Sequence, residues 1–321
     1  MDIAIIGAGM AGLSCGQRLA EAGHQVRLFD KGRGPGGRMS TRRVDLEGQT
    51  LHFDHGAQYF TASSDAFARQ VSEWHATGAV ARWPAAGDDA WVGTPGMNAP
   101  VKVMASQQDV QFGTRIETIE RTEGRWWLLG ENAPRETFDA VISAVPAEQA
   151  APLLAPHVAA VASLAEGTVS QPCWTLMVAF ERPADLPHVI RDTGSIGWAA
   201  RNSSKPGRGG SECWVVQASP EWSQRHLEQQ PGVIVALLVL ALRQLGNGEL
   251  PDIRHAAAHR WRYAFGGDAG QGAVWDEQAR LGVCGDWLAG GRVEQAYLSG
   301  LQLAEEVLGQ SAAAGVTQRY G

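Results

Sequence analysis

The chain opens on a short apolar run, Ile3, Ala4, Ile5 and Ile6, that stops at Gly7. A run of that length without polar alternation predicts a strand buried on both faces of a parallel sheet. Apolar positions then recur at helical spacing. Leu13, Leu19 and Ala20 share one stripe of a helix predicted from about Ala11 to Ala22 and ended by Gly23. A second strand, Val26 to Phe29, delivers Asp30 eighteen residues after Gly12. Between strand and helix, Gly7, Gly9 and Gly12 spell G-x-G-x-x-G. Gly7 permits the tight turn, Gly9 lets backbone approach a pyrophosphate, and Gly12 allows close helix–strand packing. In this strand–turn–helix–strand–acid context the spacing identifies a dinucleotide site. The helix N-terminus takes the phosphates and Asp30 accepts hydrogen bonds from an adenosine ribose.

Beyond Asp30 the periodicity gives way to K-G-R-G-P-G-G-R-M-S-T-R-R, a basic loop. There Gly36, Gly37 and Arg38 can lay backbone and a guanidinium against the same pyrophosphate. Leu51 to Phe60 reads as a strand ending in a close-approach turn at Gly56-Ala57. A helix is predicted over Ser64–Thr77, then a loop bearing Trp83, Trp91, Pro95 and Gly96. Strand-like runs follow at Val110–Phe112, Thr114–Arg121 and Trp126–Leu129, with Gly124 at a hairpin tip. Phe138 to Pro146 is another buried strand, and Pro146 suits the first position of the next helix.

Roughly 165 to 262 predicts a second domain on an antiparallel sheet, with strands Cys173–Glu181, Ser195–Ala200 and Cys213–Ala218. Asn202 to Gly210 is a polar, glycine-rich loop, and a long helix, Pro220 to Leu245, is broken at Pro231-Gly232. The last part returns to the opening pattern. A strand from Leu281 ends in Gly285-Asp286, and a helix after Gly290-Gly291 carries Val293, Ala296, Tyr297, Gly300, Leu301, Ala304 and Leu308 at helical spacing. Two glycine-acid turns leading to helices, this far apart, suit one dinucleotide with a bulky second half, as in FAD. NAD alone would not need the second.

Length, charge and cysteine usage narrow the classes. With 321 residues the chain can hold one large or two medium domains. A net charge of −7 and the lack of a basic run argue against nucleic acid as partner. Cys15, Cys173, Cys213 and Cys284 are scattered, as expected of free thiols in a reducing cytosol. The most apolar stretch, Val233 to Leu242, is about half the length of a membrane span. The N-terminus reads as the first strand rather than a signal peptide, so a soluble cytoplasmic protein is expected. Gly12-Leu-Ser14-Cys-Gly16 matches the G-x-S-x-G nucleophile elbow, but Ser14 falls inside the first helix with no triad partner near it. His255 and His259 would share a helix face at metal-like spacing. The glutamate of H-E-x-x-H is missing, so no metal site is expected. His52 and His55 are read as structural.

The set D-I-A-I-I-G-A-G-M-A-G, G-G-R-M, D-H-G-A-Q-Y-F, A-V-I-S-A-V-P, R-W-R-Y and C-G-D-W with G-G-R-V-E-Q-A resembles the flavin amine-oxidase superfamily, and within it the renalases. The resemblance implies an α/β architecture: a glutathione-reductase-type Rossmann FAD-binding domain with an interleaved α+β substrate domain on an antiparallel sheet. The FAD-binding domain would take 1–60, 101–164 and 263–321, and the substrate domain 61–100 and 165–262. The resemblance assigns Gly7, Gly9, Met10 and Ala11 to the diphosphate turn, Asp30 to the adenosine ribose, and Gly37 and Arg38 to the pyrophosphate, with Lys31 after Asp30 also counted among the cofactor-binding residues. Gly56, Ala57, Gln58 and Tyr59 would lie along the ribityl and isoalloxazine, and Ile116 would offer its backbone to adenine. Gly285 and Asp286 would hold ribityl or pyrophosphate oxygens. Arg292 and Val293 would place N–H groups at the flavin N1–C2 carbonyl, where reduced flavin carries negative charge.

Two departures narrow the implied chemistry. No cysteine stands in a glycine-aromatic setting suited to covalent attachment, so FAD is expected to be non-covalent. Many amine oxidases hold a water at flavin N5 with a lysine. This chain has only Lys31, Lys102 and Lys205, and that device is expected to be absent. Both favour a renalase-like oxidase, which oxidises 2- and 6-dihydro isomers of NAD(P) to NAD(P)⁺ by hydride transfer to flavin N5. O₂ then reoxidises the flavin and gives H₂O₂. Such a donor needs no strong base, so the substrate site should be aromatic and amide-lined. The candidates are Gln58, Trp198, Asn202, Gln217, Trp261, Arg262 and Tyr263, with Arg201, Arg208 or Arg262 available to pair with a substrate phosphate. An amine oxidase, a desaturase of the same superfamily, and a non-catalytic FAD- or NAD(P)-binding protein are the alternatives.

Overall fold

The computed structural model describes residues 1–245 and 249–309. They fall into two compact units, each assembled from separated stretches of chain. Unit 1 takes 1–34, 104–169 and the chain from 266 onward; unit 2 takes 35–103 and 170–265. Residues 35–60, expected with the cofactor domain, are therefore compact with unit 2, because their hairpin packs on that unit's sheet. Elements are numbered along the chain.

Unit 1 is built on a six-stranded sheet. In spatial order its strands are Ala273–Asp276 (β17), Leu281–Cys284 (β18), Ala140–Ser143 (β11), Asp2–Ile6 (β1), Gln25–Asp30 (β2) and Asp109–Phe112 (β7). All are parallel except β17 at the edge. The apolar run forms β1, flanked on both sides by strands, and Ile3, Ala4 and Ile5 are wholly buried. Met10–Glu21 (α1) follows it and packs against Val293–Val307 (α8) at small residues. A Cβ at Gly300 would meet the Ala11 carbonyl, and the Ser14 hydroxyl donates to the Tyr297 carbonyl at 2.8 Å. Ser14 thus lies in a packed helix, where no nucleophile elbow can form.

A three-stranded antiparallel sheet, Arg115–Thr122 (β8), Arg125–Glu131 (β9) and Thr137–Phe138 (β10), completes the unit with Gly124 at the hairpin tip. Residues Val110–Phe112 do not join that hairpin. Gly113, at φ +68°, turns the chain out of β7 before β8 begins. Pro146 is extended, with ψ 152°, and precedes the helix Ala147–Leu154 (α4) instead of opening it. The helix Ala159–Glu166 (α5) was not anticipated; its Val161, Ala162 and Ala165 join the same core as Leu154 and Trp126.

Unit 2 centres on a five-stranded antiparallel sheet: Val189–Thr193 (β13), Ile196–Arg201 (β14), Glu212–Ala218 (β15), Gln171–Phe180 (β12) and Ile253–Phe265 (β16). Strand alternation gives it two distinct faces. Trp174, Leu176, Val178, Trp214 and Val216 face Pro231–Leu245 (α7) through Ile234, Leu238 and Leu242. The predicted helix is indeed two, Pro220–Arg225 (α6) and α7, with Pro231 starting the second. Met177, Ala179, Cys213 and Val215 face the opposite way, against Leu51 and Phe53 of the hairpin Thr41–Leu46 (β3) and Gln49–Asp54 (β4). Asp65–Ala76 (α2) is capped by the Ser64 hydroxyl, which accepts from the Phe67 N–H at 3.3 Å. The short strands Val80–Arg82 (β5) and Trp91–Gly93 (β6) and the helix Ala99–Ser106 (α3) complete the chain.

His255 and His259 lie on a strand, not a helix. Pairing of β16 along β12 overrides the helical leaning of the alanines between them, with Ala179 opposite His255 and Thr175 opposite His259. Among the described residues no group of three or more His, Cys, Asp or Glu could hold a metal, and no helix is long and apolar enough to cross a membrane.

Candidate functional site

In unit 1 the two glycine-acid turns stand at the carboxyl ends of β1 and β18, with β11 between those strands. Gly7 has φ +107°, and a Cβ at Gly12 would run into the Gly7 carbonyl. A Cβ at Gly9 would meet nothing within 4 Å, so that stretch of backbone is open to a ligand. Gly9 is also the N-cap of α1, and no side chain caps the helix there. Asp30 pins the turn: its Oδ2 accepts from the Ala8 N–H at 2.8 Å and its Oδ1 from the Gly32 N–H at 2.7 Å. Each oxygen keeps a lone pair for a ribose hydroxyl.

Two buried hydroxyls along the same edge, Ser143 at the end of β11 and Thr114 after β7, have no partner among the described residues. Buried polar atoms left so are costly without a ligand or water. At the second turn Asp286 is 5 % exposed and its carbonyl accepts from the Gly291 N–H at 2.9 Å. Arg292 is the N-cap of α8, its side chain makes no cap bond, and Val293 opens a second helix there. Ile116 sits at a register shift near the start of β8. Lys31, expected among the cofactor-binding residues, donates to Gln149 Oε1 at 2.9 Å.

In unit 2 the site is the end of β4 with the turn after it, residues His52 to Tyr59, seated on the sheet face away from the helices. One row of that face crosses all five strands in register: Arg191, Trp198, Gln217, Thr175 and His259. The turn lies along this row. His55 packs on His259 with ring centroids 5.0 Å apart, the Gly56 carbonyl accepts from Gln217 Nε2 at 2.7 Å, and Tyr59 packs on Trp198 at 5.3 Å.

Four carbonyls of this stretch are occupied. Asn202 Nδ2 donates to the His52 carbonyl at 2.9 Å, and Trp261 Nε1 donates to that of His55 at 2.7 Å. Gln58 Nε2 donates to the carbonyls of Asp54 and Gly56. The Ala57 N–H is tied to the Arg38 carbonyl at 2.8 Å, and a Cβ at Gly56 would strike that carbonyl. By contrast, the N–H groups of Gly56, Gln58 and Tyr59 find no acceptor among the described residues. Side-chain donors thus take the carbonyls of His52, Asp54, His55 and Gly56, while three N–H groups of the turn are left to a ligand.

Four of the seven substrate candidates, Gln58, Asn202, Gln217 and Trp261, thus spend their polar atoms on this turn's backbone. Trp198 packs beside Tyr59 with a buried indole N–H that has no partner among the described residues. Arg262 leaves the group. It lies with Arg260 on the opposite side of β16, and both pair with Glu228, Arg262 at 2.7 Å and Arg260 at 2.9 Å. Tyr263 falls where the β12–β16 register shifts. Nor are the other proposed phosphate ligands spare, since Arg201 pairs with Glu212 at 3.1 Å and Arg208 with Asp54 at 2.6 Å.

The sequence reading missed what lies beneath the turn. Asp54, Lys205 and Arg208 have side chains at most 1 % exposed, and the Asp54 Oδ2 takes both Lys205 Nζ, at 3.2 Å, and Arg208. Asp54 Oδ1 accepts from the Thr41 hydroxyl at 2.7 Å and the Met97 N–H at 3.0 Å. Burial by itself would raise the Asp54 carboxyl, but the two cations and these donors hold it below its ordinary range. Burial pulls Lys205 down to about 8, with Asp54 opposing the fall and Arg208 adding to it. Burial, then His259 and Arg42, take His55 down to about 4, so it is neutral at pH 7. A clue was present: one of only three lysines stands in the loop Asn202–Gly210, beside Arg208.

The features in unit 1 fit a dinucleotide, and the donor-rich turn in unit 2 fits an electron-rich ring edge. Residues 5–74 match the model of the NAD(P)-binding Rossmann-like domain, and residues 66–308 match that of the flavin containing amine oxidoreductases. Curated relatives match over a short stretch. A 4,4'-diapophytoene desaturase of Staphylococcus haemolyticus is 51% identical over 45 residues, and the L-amino acid oxidase Lm29 of Lachesis muta is 52% identical over 46. Each match covers 14% of this chain and 9% of the relative. Among solved structures, a putrescine oxidase triple mutant aligns at TM-score 0.74 and 14% identity, covering 97% of this chain and 99% of its own. Cyclohexylamine oxidase from Brevibacterium oxydans aligns at 0.68 and 12%, covering 96% and 99%. At such identity these likenesses show the fold, a mixed α/β architecture with a Rossmann-like domain. The match to the family model runs through most of the length, and the chain belongs to the flavin containing amine oxidoreductases, with a flavin as its cofactor.

Proposed function

We propose that the protein is an FAD-dependent oxidase of isomeric dihydronicotinamide dinucleotides, returning 2- and 6-dihydro-NAD(P) to NAD(P)⁺ with O₂ as final acceptor and H₂O₂ as product. The observation that supports this most is the division of labour in unit 2. The three ionisable groups beneath the turn, Asp54, Lys205 and Arg208, are sealed against one another. Its row of Trp198, Gln217 and Thr175 supplies aromatic and amide surface beside the turn. A dihydropyridine carries its own electron push through the ring nitrogen, so a site without a strong base can still turn it over by positioning. An amine must lose a proton, for which neutral His55 is buried and poorly placed.

In this reading FAD is held without a covalent bond by a glutathione-reductase-type domain, where Gly7, Gly9, Met10 and Ala11 present the α1 N-terminus to the diphosphate. Asp30 holds the ribose, Ile116 the adenine, and Asp286 with the α8 N-terminus a further oxygen-rich part. In unit 2 the N–H groups of Gly56, Gln58 and Tyr59 offer hydrogen bonds to the flavin, while Tyr59 and Trp198 orient the nicotinamide. When bound, the flavin supplies a two-electron acceptor that O₂ can reoxidise. The same reading places the enzyme in the cytosol.

Mixing the FAD-loaded protein anaerobically with borohydride-generated NADH isomers in a stopped-flow instrument tests this. Bleaching of the flavin band within about a second by the 2- or 6-dihydro isomer, and not by ordinary NADH, is expected on the usual range of turnover rates. No bleaching by either isomer sinks the proposal. Family membership supports a second reading, amine oxidation or desaturation. Bleaching by amines and not by the isomers would establish amine oxidation.

A further inference from the structure

We propose that Lys205 is a positioning residue for the flavin-facing turn, acting through the amide of Gln58. The inference rests on the flavin reading of that turn but not on the identity of the oxidised substrate. Lys205 Nζ reaches two acceptors, Asp54 Oδ2 and Gln58 Oε1, each at 3.2 Å. An ammonium has only donors, so it dictates which end of the Gln58 amide faces it. With Oε1 fixed toward Lys205, Nε2 must point the other way, and there it caps the Asp54 and Gly56 carbonyls.

The ammonium is itself immobile. Its side chain is wholly buried, it lies 5.2 Å from the centre of the Trp83 ring, and Asp54 is anchored by Arg208, Thr41 and Met97. The chain of causes thus runs from a fixed cation, through one amide, to two peptide carbonyls. What it leaves exposed to a ligand is the donor side of the turn. Without Lys205 the Gln58 oxygen loses its cationic donor, and only the two carbonyls still favour this orientation of the amide. A flipped amide would turn its oxygen toward the two carbonyls, and the turn would have to rearrange to escape the repulsion. Asp54 would keep Arg208, Thr41 and Met97, so the fold has no comparable reason to fail.

The test uses Lys205→Met, Gln58→Ala and the double variant. The readouts are FAD dissociation by flavin fluorescence, the visible spectrum of bound flavin, and thermal unfolding. Each single change should weaken FAD by about tenfold or more, the scale of a lost charge-assisted hydrogen bond, and alter the flavin band. Because both act through one amide, the double variant should be no worse than the poorer single. Multiplying effects, or a Lys205→Met protein that unfolds earlier while binding FAD with an unchanged spectrum, overturn the proposal. Should Lys205→Met fail to fold, Gln58→Glu decides: it keeps an acceptor for Lys205 but has no N–H to cap the carbonyls. It should lose FAD affinity, and wild-type binding and spectrum in Gln58→Glu would refute the idea. If the unaltered protein binds FAD but no dihydronicotinamide reduces it, the substrate assignment fails and this one stands.

Discussion

In unit 1 the turn at Gly7 is held by neighbours in sequence: the Gly7 N–H donates to the Phe29 carbonyl at 2.8 Å and the Ala8 N–H to Asp30. In unit 2 the turn from His52 to Tyr59 is held by side chains from Thr41, Asn202 to Arg208, Gln217 and Trp261. The first arrangement relies on glycines that let backbones come close, so it should fail sterically. The second relies on buried polar groups that satisfy one another, so it should fail through a partner left behind. The difference matters because the two failures have different signatures, one in space and one in charge.

The largest effect is expected at Gly12, where a methyl group would collide with the Gly7 carbonyl. Gly12→Ala should give colourless protein with a lowered unfolding temperature. Gly9→Ala is its control, since a Cβ there meets no protein atom within 4 Å. It should unfold like wild type yet bind FAD about ten- to a hundredfold more weakly, the equivalent of 1–3 kcal/mol of crowding against the ligand. A Gly9→Ala protein with normal flavin content would show that the ligand does not approach this backbone.

Asp54→Asn tests the charge-held turn. It leaves Lys205 and Arg208 buried without a counter-charge, and breaking a buried pair from one side typically costs about 3–5 kcal/mol. Urea unfolding should show that loss, and a loss of less than about 1 kcal/mol, the scale of a surface pair, would mean that the cations find water.

A smaller effect is expected from pH. Lys205 falls to about 8 in the folded protein, against an ordinary value of 10.5. Between those values the unfolded chain holds a proton there that the folded one has lost. The contribution of this group to stability therefore rises with pH across that window and is flat below it. Measured as urea midpoints from pH 7 to 10, wild type should gain on Lys205→Met only above about 8. Parallel curves would place the titration elsewhere.

The smallest effect belongs to Arg262, which pairs with exposed Glu228 away from the row that carries Trp198. Arg262→Ala should change neither the flavin spectrum nor the rate of flavin reduction. A clear loss of either would return Arg262 to the site.

The same contrast explains how much of this could be read from the sequence. The opening strand, helix and second strand were legible because turn, packing and acid all sit within thirty residues. Asp286 and the helix after it were legible for the same local reason. The loop Asn202–Gly210 was read as a polar, glycine-rich connection, yet Asn202, Lys205 and Arg208 are buried in the structure. Their partner, Asp54, lies about 150 residues earlier, and no local pattern records such a pairing. Strand β3 was missed because Arg42 and Arg43 break its alternation, while the alanines from 256 to 258 suggested a helix where long-range pairing makes β16. Gln58, Gln217 and Trp261 were chosen as substrate contacts for their chemistry. That chemistry is present but turned inward.

The contact of α1 with α8 has a consequence for how the protein is made. Ala11 and Gly300 pack together across nearly the full length of the chain. Helix α1 thus leaves the ribosome well before the helix that covers it. At usual elongation rates of about 5–20 residues per second, it waits roughly 15–60 seconds for its partner. During that interval its buried side, with Leu13, Cys15 and Leu19, must be shielded by a chaperone or by provisional contacts.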